Sequence, residues 1–383
     1  MPIMKQPVVL QILPQLRTGG VERGTVEIAG AIRRAGWQPL VASAGGPMVA
    51  NVTYVGGEHI ELPVQTRNPL RIWKNAWAIE KIIRERKVDI VHARSRAPAW
   101  SAWLAAKRTR TPFVTTFHGV YGLKPGIKKY YNEVMTKGDR VIAISHFVAD
   151  HIREHYQVDE SRVRIIHRGV DLNVFDPARI MQQRMIDLAA KWRTPDDQPL
   201  IIMPGRITRW KGQHVMVEAL ARLPHRNFFC LLVGDDMGHP NYRQEVEQLI
   251  RERGMEGHIR FAGNTPYMAE AYMLADIVAA PSIEPEAFGR VPVEAQAMGR
   301  LVISTNHGGA CETIIDGETG WLIAPGDADA LSEALGKALL LPKDEKERIG
   351  QQAKAHVREH FSAEIMCAKT LQVYWELIGS RYE

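Results

Sequence analysis

The chain has 383 residues, 45% hydrophobic and 24% charged, with 49 Lys and Arg against 43 Asp and Glu. That length implies two cores, and the composition excludes a disordered chain, a small disulfide scaffold and a bilayer-spanning bundle. Residues 1–185 carry 28 Lys and Arg against 15 Asp and Glu and the remainder 21 against 28, so the first half is the one suited to phosphate, nucleic acid or anionic lipid.

The start, MPIMKQPVVLQILPQL, has one Lys, an interrupted apolar run and no small-residue cleavage site, so a cytoplasmic protein is expected. Short apolar runs then alternate with amphipathic helical patterns, the signature of parallel α/β units. Strands are expected at 8–13, 39–43, 89–93, 112–118, 140–145 and 163–167, and in a second series at 200–203, 228–233, 259–262, 277–280, 301–304 and 321–323. Between them, the stretch 68–87 puts Leu70, Trp73, Trp77 and residues Ile79 to Ile83 on one broad helical face, expected to pack on the core. Residues 168–193 read as a connection, giving Rossmann-like domains at 1–175 and 190–361. The amphipathic segment 362–383 is expected to fold back on the first. Cys230, Cys311 and Cys367 lie far apart among apolar neighbours, so neither a disulfide nor a zinc site is expected.

Parallel sheets bind ligands at the carboxyl ends of their strands, so the turns leaving strands carry the chemistry. After the first strand, Gly19, Gly20 and Gly24 open a helix whose backbone N–H groups can approach an anion; a tight turn is the plain alternative. The spacing does not match a dinucleotide fingerprint. Strands further on end in Arg94 and Arg96, which can face an acidic or phosphorylated acceptor or simply solvent, and in His118. In the second half, Arg206 and Lys211 can converge on one diphosphate, a planar fork plus a point charge. The turn 306–310, with two glycines, reads as a further anion nest or equally as a tight turn.

The most informative stretch is Pro281-Ser282-Ile283-Glu284-Pro285-Glu286-Ala287-Phe288-Gly289-Arg290-Val291-Pro292-Val293-Glu294. Pro292 suits the first position of a helix that Gly299 ends, which would put Glu294 in the first turn and Glu286 in the loop before it. Two carboxylates beside a helix N-terminus whose N–H groups run from Phe288 to Val291 suit a ligand with both hydroxyls and phosphates. No Asp-x-Asp follows an apolar strand to hold a cation; Asp327 reads as a helix N-cap. Walker, Gly-x-Ser-x-Gly and His-Glu-x-x-His motifs are absent.

These residues, in this order along nearly the whole chain, resemble the retaining glycosyltransferases of family 4, of lipopolysaccharide or cell-envelope type, which have the GT-B fold of two Rossmann-like domains facing across a cleft. The resemblance implies a nucleotide-diphosphate sugar donor and no metal or other cofactor. It places donor ribose hydroxyls on Glu294 and the transferred sugar on Glu286 with backbone at Phe288, Gly289, Arg290 and Val291. The diphosphate falls to Arg206 and Lys211, the phosphate approach to Gly19 and Gly20, the base to Ala262 and Asn264, and the reacting face of the sugar to His118. Glu286, His118, Arg206 and Lys211 are thus the expected catalytic set and Arg94 and Arg96 the expected acceptor contacts. One departure is Ile166-His167-Arg168-Gly169-Val170-Asp171, where the family commonly has Pro-Asn-Gly-Val-Asp. The basic first half, its tryptophans and the run 123–131 with Lys124, Lys128 and Lys129 suit peripheral contact with a membrane and a lipid-linked acceptor. Transfer to a soluble acceptor, epimerisation of a sugar nucleotide, and a non-catalytic binding module remain alternatives. No nucleic acid partner is expected, because no sheet face interleaves aromatics with arginines.

Overall fold

Runs such as VVLQI and FCLLV are apolar without alternation, as strands covered on both faces must be. The computed structural model describes residues 6–17, 19–121, 127–238 and 240–382, and in it these runs build two parallel sheets in two units. One unit is Met1–Gly169 with Ala363–Glu383, and the other is Val170–Ser362.

The first unit contains β1 (Val8–Ile12), α1 (Gly20–Arg34), β2 (Gln38–Ser43), α2 (Val49–Tyr54), β3 (Glu58–Glu61), α3 (Pro69–Arg86), β4 (Ile90–Ala93) and α4 (Arg96–Thr109). It continues with β5 (Phe113–Phe117), α5 (Ile127–Glu133), β6 (Arg140–Ala143), α6 (His146–His155) and β7 (Val163–Ile165). The strand order is β3-β2-β1-β4-β5-β6-β7, all parallel. Strand β3, with the sequence EHIE, is additional to the expected set; its polar residues suit an edge position, and they hid it.

The second unit starts with α7 (Gln182–Trp192), within the stretch expected to be connection, which buries Leu188 and Trp192. Then follow β8 (Leu200–Pro204), α8 (Gln213–Ala221), β9 (Phe229–Val233), α9 (Pro240–Glu252), β10 (Ile259–Gly263), α10 (Met268–Leu274) and β11 (Ile277–Ala280). It ends with α11 (Arg290–Ala297), β12 (Leu301–Thr305), β13 (Trp321–Ile323), α12 (Ala328–Leu340) and α13 (Lys343–His360), in strand order β10-β9-β8-β11-β12-β13. Helix α12 is capped by Asp327, whose carboxylate accepts from the N–H groups of Asp329 and Ala330.

The last helix, α14 (Ala363–Ile378), belongs to the first unit. Its Met366, Val373, Tyr374 and Ile378 share one core with Val9, Ile28, Ile32, Ile90 and Val114. The Tyr374 hydroxyl lies 2.6 Å from Nδ1 of buried His92, whose Nε2 is 2.7 Å from Thr116 Oγ1. Helix α3 corrects an expectation. It buries Asn75, Ala76, Ile79 and Ile83, while Trp73 and Trp77 stay 54% and 53% exposed. The two indoles pack edge to face, with the Arg108 guanidinium 5.3 Å from the Trp77 ring, so they satisfy one another rather than the core.

Candidate active site

In the second unit, β8, β11 and β12 are adjacent, so the turns that leave them meet. The Ile283 N–H donates to the Trp210 carbonyl at 2.7 Å, Thr305 Oγ1 to the Ser282 carbonyl at 3.0 Å, and the Gly309 N–H to the Glu286 carbonyl at 2.7 Å. Gly212 has φ 84° and a Cβ there would fall 2.1 Å from the Pro281 carbonyl oxygen, so only glycine lets the Lys211 turn seat on the next loop. Of the two readings of 306–310, an anion nest or a tight turn, the N–H groups of His307 and Gly309 fit the turn, bonding the Thr305 carbonyl and fixing the Glu286 loop.

This framework brings Lys211 Nζ to 2.7 Å from Glu286 Oε1, and Ser282 Oγ donates to the same oxygen. Both charged side chains are largely buried, at 11% and 17% exposure. Lys211 also lies 4.5 Å from the Trp210 ring centroid, and exposed Arg206 holds its guanidinium 5.7 Å from that ring. A cation, a carboxylate and an exposed second cation thus share one corner.

Helix α11 differs from expectation in its start. Gly289, at φ 82°, is its N-cap and Arg290 its first residue, which puts Pro292 third and Glu294 in the second turn. Proline is tolerated there because the first turn makes no intrahelical N–H bonds. Arg290 and Glu294 are then four apart, and Arg290 Nη2 donates to Glu294 Oε1 at 2.6 Å. The Tyr272 hydroxyl donates to Oε2 at 3.0 Å, and Glu294 is only 8% exposed. Glu294 is therefore built into the base of α11 rather than displayed at a surface. Beside it, burial and then the Glu294 charge push the Tyr272 hydroxyl pKa well above its usual value, so it stays a donor. Among the described residues no side chain caps α11, Phe288 is buried, and Val291 is partly exposed. Ala262 and exposed Asn264 lie at the tip of edge strand β10, with the Arg243 guanidinium 4.8 Å from the neighbouring Phe261 ring.

In the first unit the tips of β1, β4 and β5 are likewise adjacent. The expectation that Arg94 faces outward is corrected: it is 3% exposed and points, with Arg168, at Gly24 of α1. Burial lowers its pKa, opposed by charges that include Glu27. Arg96 is partly exposed, bonded to Asn132 Oδ1 at 2.9 Å, with its guanidinium 4.1 Å from the Tyr121 ring. Gly19 is the N-cap of α1, with no side-chain cap, and the Gly20 carbonyl accepts from Arg168.

Arg168 also donates to His118 Nδ1 at 3.0 Å. A guanidinium has no acceptor, so Nδ1 must accept and the ring proton sits on Nε2, a buried atom with no hydrogen-bond partner among the described residues. Burial, then Arg168, Arg94 and His92, hold the His118 pKa well below its usual value. His118 is thus a neutral imidazole offering one N–H. Arg168, Ser282, Trp210 and Tyr272 were not singled out from sequence; only Arg168 left a signal, as the departure from the family pattern. Lys124 lies outside the described residues, and the side chain of Lys128 is not among those described.

Two parallel-sheet Rossmann-like units, with the second unit's charged groups at strand tips, define the GT-B class. Residues 18–174 match the family model Glycosyltransferase Family 4 and residues 185–356 match Glycosyl transferases group 1. A glycosyltransferase from Rickettsia africae is 42% identical, with a TM-score of 0.90 over 97% of this chain and 99% of that one. A D-inositol 3-phosphate glycosyltransferase from Xylanimonas cellulosilytica is 30% identical over 75% of this chain and 71% of its own length. Anabaena HepE, solved with UDP and glucose, shares the fold at 21% identity, with a TM-score of 0.80 over 95% of this chain and 98% of that one. The chain belongs to the family 4 glycosyltransferases.

Proposed function

We propose that the protein is a retaining, metal-independent hexosyltransferase. It moves a hexose or N-acetylhexosamine from a nucleotide-diphosphate sugar to a hydroxyl of a lipid-linked or lipopolysaccharide-type acceptor, at the cytoplasmic face of a membrane. The observation that carries this reading is the meeting of Lys211 with Glu286 and the N-terminus of α11 at two neighbouring strand tips, those of β8 and β11. A cation and helix N–H groups for phosphate, with a carboxylate for hydroxyls, are what a sugar diphosphate requires. The fold shared with HepE, solved with UDP and glucose, supports the donor class.

In this reading Lys211 exchanges Glu286 for the diphosphate, Arg206 swings onto the same group, and Glu286 takes sugar hydroxyls. Glu294 orients Arg290 and the ribose side of the donor from below, and Ala262 and Asn264 border the base. The acceptor oxygen attacks the anomeric carbon on the face the diphosphate leaves. The bond from that carbon to the phosphate oxygen breaks, and this oxygen takes the acceptor's proton. In the first unit, His118 offers its Nε2 proton to a substrate hydroxyl, Gly19 and Gly20 present backbone N–H groups to phosphate, and Arg96 meets the acceptor. The fixed positive groups take the role a divalent cation plays elsewhere.

The lipid side of the reading rests on α3. Leu70 is 80% exposed and, with Trp73 and Trp77, stands among Arg71, Lys74, Lys81 and Arg84 in a unit holding 28 Lys and Arg against 16 Asp and Glu. Among the described residues no helix is long and apolar enough to cross a membrane. A phosphorylated polyol acceptor is the second reading, favoured by the D-inositol 3-phosphate glycosyltransferase relative. Assays with UDP, GDP and ADP sugars, in chelator, against vesicle-borne glycolipid and inositol phosphate separate them. Transfer to the glycolipid with salt-sensitive vesicle binding is expected; transfer only to the soluble acceptor favours the second reading, and metal-dependent turnover refutes the electrostatic assignment.

A further inference from the structure

Strand β5 begins at Phe113 and β6 at Arg140, at the sheet end opposite the His118 and Arg94 cluster. A cavity of about 590 Å³ opens there beside the last turn of α4. Its lining holds Lys107, Arg110, Lys137, Arg140 and Arg162 against one carboxylate, Asp139. That carboxylate accepts the Phe113 N–H at 2.8 Å, and Arg140 is paired with Glu376 at 2.7 Å. Among the described residues, Lys107, Arg110 and Lys137 have no carboxylate partner. The two ammonium groups lie 5.3 and 5.2 Å from the same ring centroid, that of Trp103.

Like charges gathered around one indole repel; solvent and the indole face offset part of that cost, and a bound anion turns it to attraction. Arg110 ends α4 at φ 54°, as Lys87 and Arg193 end α3 and α7 in the same left-handed region, so its backbone marks a helix end and its guanidinium is what it brings to the cavity. The volume suits a small organic ligand, and one fork with two point charges suits phosphate.

We propose that this cavity is a second ligand site, for a phosphomonoester or diphosphate whose organic part lies on Trp103. It is independent of the donor assignment, since it uses the opposite sheet end and none of the same residues. Titration of the full chain with inorganic pyrophosphate, by calorimetry and tryptophan fluorescence, tests it. The Lys211→Ala background weakens the competing donor site. One saturable site is expected there, its fluorescence change abolished by Trp103→Phe and its affinity lowered at least about tenfold by Lys107→Ala with Lys137→Ala. Arg110→Gly, which the backbone favours, keeps the fold and loses a similar factor. No binding at millimolar pyrophosphate, or undiminished binding in these variants, overturns the proposal. Vesicles of phosphatidic acid, with phosphatidylcholine as control, assign the source: charge-specific binding displaced by pyrophosphate identifies a lipid headgroup, and pyrophosphate binding without it identifies a soluble phosphate ester.

Discussion

In the second unit each carboxylate of the site already has a cation, Glu286 with Lys211 at 2.7 Å and Glu294 with Arg290 at 2.6 Å. In the first unit His92, Arg94, His118 and Arg168 crowd adjacent strand tips, with Glu27 the carboxylate whose charge reaches Arg94. The difference is one of readiness. Paired charges can hand a partner over to a substrate at little cost, whereas crowded cations keep both imidazoles neutral and leave the Nε2 proton of His118 for whatever arrives.

Breaking the pair at the second unit's corner should have the largest effect. Lys211→Ala is expected to lower kcat by about 10²–10³-fold, the usual cost of removing one preorganised charge-stabilising donor. Arg206→Ala, at an exposed position without a carboxylate partner among the described residues, should cost less, and steady-state transfer assays of both rank them. Equal effects would remove the distinction between the buried and the exposed cation.

Glu294→Ala tests the other pair through stability. It leaves the Tyr272 hydroxyl buried without its acceptor, so urea denaturation should show a loss of about 1–3 kcal/mol. Tyr272→Phe in the same background should restore part of it, because the orphaned hydroxyl is then gone. A loss of activity without this loss of stability would place Glu294 at the ligand surface instead.

The first unit responds to pH. Folding lowers the pKa values of His92 and His118 below 6.5, so the unfolded chain takes up protons that the folded one refuses. Stability present above pH 6.5 is therefore lost as pH falls below it, by up to about 1.4 kcal/mol per pH unit for each histidine. Denaturation at pH 7 and 5.5 measures the slope, and His118→Gln should make it shallower.

The smallest effect sharpens the role of Arg168. Arg168→Met should free Nδ1 of His118 and raise the pKa of the ring, with kcat lower by roughly three- to tenfold, the worth of one hydrogen bond. Nitrogen NMR of the imidazole should show the proton on Nε2 in the wild type and a mixture in the variant. An unchanged tautomer would leave Arg168 with a packing role.

Apolar runs and turn glycines made the sheets legible before any coordinates, because both report backbone geometry directly. Strand β3 was not, since EHIE at a sheet edge has no apolar pattern to show. The exposed indoles of α3 were misplaced because helical spacing reports which residues share a face, and not which way that face turns. At the site, Lys211 and Glu286 could be named from their turns, but their mutual bond depends on which strands are neighbours. Glu294 was set one turn too early because Pro292 marks the first turn of a helix without marking its first residue.

The return of α14 to the first unit sets an order on biosynthesis. The ribosome finishes the first unit's sheet almost two hundred residues before it makes the helix that covers Val9, Ile28, Ile90 and Val114. Until then that greasy face has nothing of its own to lie against, and His92 lacks the Tyr374 hydroxyl. Each buried apolar side chain of α14 is worth about 1.5–3 kcal/mol, so a nascent chain stalled before Ala363 presents an unfinished domain to the cell. Chaperone capture should therefore track the length of the nascent chain, and cease only once the final helix has left the exit tunnel.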